Sequence, residues 1–393
     1  MKGKQQRKLF YLGNYRTEAV ADRYPLGSSA QDNKMAYLVS VFKRCIDHVT
    51  VVSVLSSEKP GYYKTLRVKV DDGEDDVFLA SYDTSARGIS KIAALYRLIV
   101  LTFYLITHVT KDDVLIVYHN PLFSLPVRLA KKLKRFQFIL EVEEIFSRDK
   151  RNSKDIKRRG IEMKLINAAQ KYICAGDLLL KEVSRGKNNP HTSFGAVVYG
   201  GYSIPPKLTE RFDDGFIHIV YAGGIDSLRC VNNVVDSMEY LPMNYKLHIL
   251  GFGSPGDIKA LEDCIEKVNS AAGEIRAEFL GELHGDSYNM FLQKCHIGIN
   301  AQKIGESIEE YAFPSKITSY LGCGLNVVSG RLKSIENSAL NKYMNYFDTN
   351  SPRDIALAIS SCGINSYEQQ ILINKHLDEQ LYTKINEMLE YEK

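Results

Sequence analysis

The sequence predicts an α/β protein of two domains, each built on a parallel sheet. Short β-branched and aromatic runs alternate with segments of helical periodicity along all 393 residues, which is typical of successive βαβ units. This length exceeds what one hydrophobic core usually serves. A segment at 200–215 with paired prolines, glycines and charges separates two such series. We therefore expect domains at 1–205 and 206–350, followed at 351–393 by C-terminal helices that pack back toward the first domain.

The first half has the pattern of one α/β domain, with its first helix over 34–45 and a long helix at 90–108. The apolar stretch of the long helix, 95–106, is shorter than the roughly 20 residues that cross a bilayer, so we expect a buried helix. The acidic run around Gly73 has the spacing of a hairpin turn, and we interpret it as a solvated turn, not a metal motif. Strands are predicted at LFYL, VTVVSVL, VLIVY, FQFILEV, KYICA and AVVYG.

The second half repeats this alternation and ends in an amphipathic helix. Leu377, Leu381, Ile385 and Met388 recur at helical spacing, so the last helix has one apolar face to bury. Strands are predicted at FIHIVYAG, YKLHILG, AEFLG, HIGIN and LNVVSG.

Composition is that of a globular protein, with 45% apolar and 25% charged residues. The seven cysteines are scattered without a C-x-x-C pair, so neither a disulfide framework nor a metal site is indicated. The apolar run at 9–12 stops at Gly13, too early for the core of a signal peptide. We therefore expect a cytoplasmic protein.

Charge is divided unevenly between the halves. Residues 1–205 hold 34 Lys and Arg against 21 Asp and Glu, whereas the remainder holds 17 against 26. This asymmetry indicates an anionic partner for the first half, either a phosphate-bearing acceptor or, peripherally, the inner face of a membrane. A merely solvated basic face explains the counts equally well. We do not expect a nucleic-acid partner.

Glycines and small polar residues end the predicted strands of the second half. Ligands of open α/β sheets bind at this carboxyl edge, where glycine lets the backbone approach closely and helix starts favour phosphate. The G-x-G at 251–253 is weak by itself, because tight turns need glycine for backbone reasons alone, but its repetition along the edge strengthens the signal.

Four segments of the second half, YAGGIDSLRC, YKLHILGFGSPGDI, EFLGEL and FPSKITSYLGCGLNVVSG, resemble the carboxyl-terminal domain of GT-B glycosyltransferases, close to glycosyltransferase family four. The resemblance covers about 216–348, and the first half matches more loosely. It implies two facing Rossmann-like domains, a nucleotide-sugar donor on the second, an acceptor on the first, a last helix crossing back, and no cofactor or required metal.

By this resemblance Arg229, with Lys316 as a second candidate, binds the donor diphosphate. Arg229 could instead be an ordinary surface residue. The family often has two glutamates eight residues apart, where this chain has Tyr311 and Ser319; Ser319 can still bind a ribose hydroxyl, more weakly than a carboxylate. Nearby Glu306, Glu309 and Glu310 could supply a carboxylate or form a solvated loop. The expected donor-binding residues are Gly223, Gly224, Arg229, Gly253, Gly281, Glu282, Leu283, Asn300, Pro314, Ser315, Lys316 and Ser319.

Titratable residues follow two strands of the first half and could act on an acceptor. We predict Glu143 or Glu144 as the catalytic carboxylate with His119 beside them, although a lone histidine after a strand is more often structural. Alternation places Glu141 and Glu143 on one face and Glu144 on the other. A loop with Asn14, Asn33 and Lys34 could bind acceptor or donor phosphate, although Asp32 and Asn33 could equally cap the first helix.

The predicted function is transfer of a sugar from a nucleotide-sugar, UDP-linked by expectation, to a carbohydrate or lipid-linked acceptor. Retention of configuration, independence of metal and a role in surface polysaccharide synthesis follow from the resemblance. Two alternatives stay open: a non-hydrolysing nucleotide-sugar epimerase, and a catalytically silent GT-B protein that binds a partner.

Overall fold

The computed structural model describes residues 7–20, 22–24, 29–57, 59–84, 89–145, 153–185, 195–305 and 313–390. Tyr311, Glu306, Glu309 and Glu310 lie outside these ranges. The chain divides into two compact units. The first unit consists of Met1–Ala175, Leu179–Val198 and Gln380–Lys393, and the second of Gly176–Leu178 and Tyr199–Glu379.

Within the described residues, the first unit holds an eight-stranded sheet. Its half of the chain contains strands β1 (Leu9–Gly13), β2 (Val49–Ser53), β3 (Gly61–Tyr63), β4 (Leu66–Asp71), β5 (Glu74–Phe78), β6 (Ser81–Asp83), β7 (Val114–Tyr118), β8 (Gln137–Val142), β9 (Lys171–Cys174) and β10 (Gly195–Val197). The order in the sheet is β10-β9-β8-β7-β1-β2-β5-β4. Neighbours run parallel except β4, which forms the predicted acidic hairpin with β5, while β3 and β6 pair separately.

Helices cover both faces of this sheet. They are α1 (Ser29–Cys45), α2 (Ser90–His108), α3 (Ser124–Lys134), α4 (Ser153–Ala168) and α5 (Asp177–Ser184). Phe10 and Leu12 point into a core shared with α2, α3 and α4. Tyr11, between them, points to the opposite face and meets Phe42 of α1 edge to face at 5.3 Å. The alternation of strand side chains therefore assigns α2, α3 and α4 to one face.

The second unit contains, in the part of the chain that is described, a six-stranded parallel sheet in the order β13-β12-β11-β14-β15-β16. These strands are β11 (Ile217–Ile225), β12 (Tyr245–Gly253), β13 (Ala277–Gly281), β14 (Ile297–Asn300), β15 (Asn326–Gly330) and β16 (Met344–Phe347). The helices are α6 (Val231–Ser237), α7 (Pro255–Ala272), α8 (Gly285–Lys294), α9 (Lys316–Gly322), α10 (Lys333–Glu336), α11 (Pro352–Ser360) and α12 (Tyr367–Leu389). Two sheets with flanking helices, one parallel throughout and the other parallel except for its edge strand β4, confirm the predicted fold class.

The end of α12 belongs to the first unit. Leu377, Leu381, Ile385 and Met388 are all nearly fully buried, as their spacing predicts. The carbonyl of Met388 accepts hydrogen bonds from Gln137 and Lys171, both at 2.9 Å. The helices of 351–393 were predicted to pack back toward the first domain. This prediction was wrong for α11, which packs its apolar face into the core of the second unit.

Two further predictions need correction. The first helix begins at Ser29, not at residue 34, because residues 29–33 include no glycine or proline and Asp32 suits a first helical turn. Asn33 and Lys34 therefore lie within α1, not in a loop or cap. By length and composition alone, α2 could cross a membrane, and only a fifth of it is buried (22%). A helix on a sheet buries one face, so the expectation of a buried helix was wrong for the other face.

Candidate functional site

The carboxyl edge of the second sheet presents the glycines and small polar residues that the sequence pattern singled out. Gly223 and Gly224 lie near the end of β11, Gly253 ends β12, Gly281 ends β13 and Asn300 ends β14. The strands are parallel, so these ends meet along one edge. The edge therefore gathers the strand ends expected to contact a ligand.

Backbone segments approach one another at the tips of β11 and β12. Gly223 and Gly251 are register partners with φ of +147° and +151°, values that side-chain-bearing residues rarely adopt. A β-carbon on Gly251 would lie 1.8 Å from the carbonyl oxygen of Gly223. Glycine is thus required sterically at Gly251.

Two cationic side chains lie next to Gly223 and the following residue, Gly224. The ammonium nitrogen of Lys316, the first residue of α9, lies 2.9 Å from the point that a β-carbon on Gly223 would occupy. The Nε atom of Arg229, between β11 and α6, lies 3.5 Å from the corresponding point at Gly224. The fold thus brings together the two residues that the resemblance suggested for the diphosphate.

The electrostatics of this pair favour an anion. Burial of the ammonium, and then repulsion from Arg229, lower the pKa of Lys316 to about 7. The ammonium lies 4.2 Å from the ring centroid of Tyr221, although the residue as a whole keeps partial exposure. Arg229 pairs with Asp226, whereas no carboxylate among the described residues forms an ion pair with Lys316. A bound anion would restore the charged form of Lys316.

Two tyrosines that sequence reasoning did not select hold this arrangement. The Tyr320 hydroxyl accepts a hydrogen bond from the amide of Ala222 at 2.9 Å and donates to the carbonyl of Ile299 at 3.3 Å. The Tyr221 hydroxyl donates to the carbonyl of Gly224 at 2.5 Å. Tyr320 therefore fixes α9, and with it Lys316, against β11 and β14. The signal that could have found Tyr221 was its position one residue before the AGG turn.

The remaining predicted donor residues are not all gathered at the cations. Gly281 ends β13, two strands from β11, and Glu282 and Leu283 follow it. The carboxylate of Glu282 lies 3.6 Å from the ring of His284. Asn300 is buried and donates to the Ser329 hydroxyl at 2.9 Å, so its amide group is used within the sheet. Pro314 and Ser315 precede Lys316 directly, and Ser319 lies one turn after it in α9.

In the first unit, a carboxylate pair lies toward the carboxyl end of β8. Glu141 is fully buried and accepts a hydrogen bond from the Tyr11 hydroxyl. Burial, and then repulsion from Glu143, raise the pKa of Glu141 to about 8. Glu143 pairs with the ammonium of Lys34 at 2.5 Å. As alternation predicts, Glu141 and Glu143 share one environment, and the Lys34 charge is matched inside the unit.

His119 and Glu144 have different surroundings. His119 is 2% exposed, with Nδ1 2.9 Å from the carbonyl oxygen of Glu144 and Nε2 3.6 Å from the carboxylate of Glu162. Burial lowers the pKa of His119, which favours the neutral ring. These are the surroundings of a structural histidine, which was the alternative interpretation. Glu144 is exposed.

The residues of the predicted acceptor loop have different surroundings. Asn14 donates to the carbonyl of Val54 and accepts from the Asn120 amide at 3.1 Å. Lys34 also donates to the carbonyl of Val198 at 3.3 Å, in addition to its pair with Glu143. Asn33 is exposed on α1. Two of the three residues are therefore engaged in contacts within the unit.

Known structures share the architecture over nearly the full chain. An α,α-trehalose 6-phosphate synthase from Burkholderia multivorans has a TM-score of 0.65 at 9% identity, covering 98% of this chain and 95% of that chain. HepE from Anabaena, in complex with UDP, has a TM-score of 0.62 at 13% identity, covering 98% and 99%. Sucrose-phosphate synthase from Thermosynechococcus elongatus has a TM-score of 0.61 at 12% identity, covering 98% and 94%.

No family model matches the chain, and a search of curated proteins gave no significant match. At these identities the structural matches establish the fold. The chain has the GT-B fold.

The GT-B chain thus carries two clusters of chemistry-bearing residues, one in each unit. The second unit holds Lys316 and Arg229 next to Gly223 and Gly224, and the first holds Glu141, Glu143 and Lys34. In the described ranges, no group of three or more His, Cys, Asp or Glu residues is arranged so that it could hold a metal ion.

Proposed function

We propose that this GT-B protein is a glycosyltransferase whose nucleotide-sugar donor binds through its diphosphate to Lys316 and Arg229. One observation carries the proposal: two cations lie over Gly223 and Gly224, and burial beside Arg229 lowers the pKa of Lys316 to about 7. A buried lysine whose pKa is lowered in this way, at the sheet edge where ligands bind, is a candidate functional residue.

A diphosphate fits this site chemically. Its charge would be shared between the ammonium and the guanidinium, and the glycines leave the backbone close enough for N–H groups to assist. During transfer, the bond from the anomeric carbon to the phosphate oxygen breaks and negative charge grows on the leaving diphosphate. Cations fixed in advance stabilise that charge without reorganisation. Two side-chain cations can play the part that a metal plays elsewhere, so the proposal includes no metal and no cofactor.

A UDP-linked donor is the form we favour. HepE was solved in complex with UDP, and the other two neighbours are named as sugar-phosphate synthases. The HepE complex describes that protein, and it supports a UDP-sugar here because the fold is shared.

The acceptor side of the proposal concerns the first unit. The acceptor hydroxyl forms the new bond to the anomeric carbon and loses its proton, for which Glu143 or the exposed Glu144 is the proposed base. His119 is not retained in this role, because its ring is buried between Glu144 and Glu162. We propose a carbohydrate or lipid-linked acceptor, retention of configuration, a cytoplasmic location and a role in surface polysaccharide synthesis, with the basic first unit contacting the membrane peripherally.

The test is release of UDP or GDP from a panel of nucleotide-sugars, with and without cell-derived acceptor lipids and glycans. A glycosyltransferase releases nucleotide at a rate that rises with the acceptor. An epimerase consumes the donor with no acceptor present, and a catalytically silent protein binds nucleotide without turnover. Either of the last two results contradicts the proposal.

A further inference from the structure

Exposed apolar side chains are concentrated on one layer of helices in the first unit. In the described part of the chain, 26 large apolar residues are exposed by about a third or more of their surface, and twelve of them lie within residues 89–163. That segment contains α2, α3 and most of α4. A soluble monomer rarely exposes a large continuous apolar patch without a function for it.

Two of these helices carry regular stripes. On α2 the exposed residues are Ile92, Leu95, Ile99 and Phe103, the last 69% exposed. Along α3 and the turn before it they are Leu122, Leu125, Leu129 and Leu133. Each stripe follows the same spacing of three, four and four residues, which places its members on one helix face.

The stripes belong to a single outward surface. Leu101 and Leu105 of α2, Val127 and Ala130 of α3, and Leu165 of α4 enter the same core on one face of the eight-stranded sheet. Because their inner faces meet this core, the opposite faces of the three helices point away from the sheet together. We call this outward side of α2, α3 and α4 the helical layer surface.

Positive charge accompanies the apolar stripes. The three helices contain two, four and five Lys and Arg residues in turn, against two acidic residues, Asp155 and Glu162. Glu162 is 1% exposed and does not reach the surface. At the end of α3, an open pocket of ≈ 470 Å³ is lined by four basic residues, Arg128, Lys131, Lys132 and Arg135, together with Phe136, Ala168 and Gln170.

We propose that the helical layer surface docks on an anionic lipid bilayer. Apolar stripes bordered by basic residues match the boundary between acyl chains and phosphate headgroups. A protein partner fits less well, because lysine is depleted at protein interfaces. Membrane spanning by α2 would remove Leu101, Tyr104 and Leu105 from the core, so the helix lies on the membrane and does not cross it.

This surface specifies the peripheral contact included in the proposed function, and it rests on that proposal only for its biological setting. Its test measures binding to vesicles, not sugar transfer, so the two proposals can fail separately.

The experiment is sedimentation of the full chain with vesicles of phosphatidylcholine alone or mixed with phosphatidylglycerol. We expect binding to the mixed vesicles, weakening with salt, and at least tenfold weaker binding to neutral ones. Two double variants, Phe103→Glu/Leu129→Glu and Arg128→Glu/Lys132→Glu, should each weaken binding at least tenfold. The matched control, Leu357→Glu/Lys259→Glu, changes exposed residues of the second unit and should bind like the wild type.

All substituted side chains are exposed, and circular dichroism checks that each variant is folded. The proposal is overturned if the wild type ignores anionic vesicles, or if both surface variants bind as well as the control. A dimer in analytical ultracentrifugation that Phe103→Glu/Leu129→Glu abolishes, without vesicle binding, would assign the surface to a second copy and also overturn it.

Discussion

The two units arrange charged residues near the ends of their strands in opposite ways. In the second unit, Lys316 and Arg229 lie side by side, and the ammonium has no ion-pair partner among the described residues. In the first unit, two carboxylates share a site, but Lys34 pairs with Glu143 and the Tyr11 hydroxyl bonds to Glu141. The cluster of the first unit is internally matched, whereas the cluster of the second unit leaves the Lys316 ammonium without a carboxylate partner among the described residues.

This difference indicates how the two units divide recognition. An unmatched, partly desolvated cation gains most from an arriving anion, because the anion restores the charge that burial disfavours. A matched carboxylate cluster gains little from a new ion but can hold or move a proton. We therefore assign the donor phosphate to the second unit as part of the proposed function, and substitutions in the two clusters should have separable effects.

The largest effect is expected for Lys316→Met. Loss of an oriented charge at the leaving group should lower turnover by about 10²–10³. Steady-state nucleotide release is the measurement, and Lys259→Ala, an exposed lysine of the same unit, is the control. Turnover equal to that of the wild type would show that Lys316 is not part of the donor site. The contrast between the charge clusters of the two units would then have no functional meaning.

The pH dependence of UDP affinity sharpens the same point. Lys316 is half neutral near pH 7, and UDP favours its ammonium form. Affinity should therefore fall as pH rises above 7, approaching about tenfold for each pH unit, with proton uptake on binding. Calorimetry in buffers of different ionisation enthalpy measures both. Lys316→Arg, which stays charged, should flatten the profile, and an unchanged slope would exclude Lys316 as its origin.

A smaller effect is expected for Arg229→Ala. This side chain is partly exposed and already paired with Asp226, so part of its charge is compensated before the donor arrives. Turnover should fall about tenfold, roughly the loss of one oriented charge contact. A loss as large as that of Lys316→Met would show that the two cations act as a unit. It would contradict the prediction that Lys316 contributes more than Arg229.

The smallest effect on donor binding is expected for Glu141→Gln. The carboxyl pKa is about 8 in the folded chain, so at pH 7 the amide imitates the protonated group and UDP affinity should not change. Since the folded-state pKa is raised, protonation stabilises the fold below pH 4.5 and this stabilisation is lost as pH rises toward 8. Denaturant unfolding should show the wild type losing stability relative to the variant across that window.

The sequence predicted the fold because its strands are short apolar runs bounded by glycine or polar turns, as in HIGIN and LNVVSG. It did not predict the exposed side of α2, because an apolar residue such as Ile99 or Phe103 has the same periodic signal whether it faces a sheet or solvent. The start of α1 was missed because its first six residues, Ser29–Lys34, include a single apolar residue, Ala30.

The site was predictable where the local backbone admits only one type of residue at a position. Gly251 must be glycine because another backbone lies where its side chain would be. The roles of Tyr221 and Tyr320 were not predictable, since each depends on a hydrogen bond between elements distant in sequence. Burial of His119 against Glu162 is likewise a tertiary fact that spacing along one strand does not report.

The most direct measurement of the central claim is a crystal structure of the chain soaked with UDP or a UDP-sugar. We expect the diphosphate oxygens within hydrogen-bond distance of Lys316 Nζ and the Arg229 guanidinium, beside Gly223 and Gly224. Nucleotide bound at another edge, or those cations occupied by carboxylates of the protein, would contradict the account.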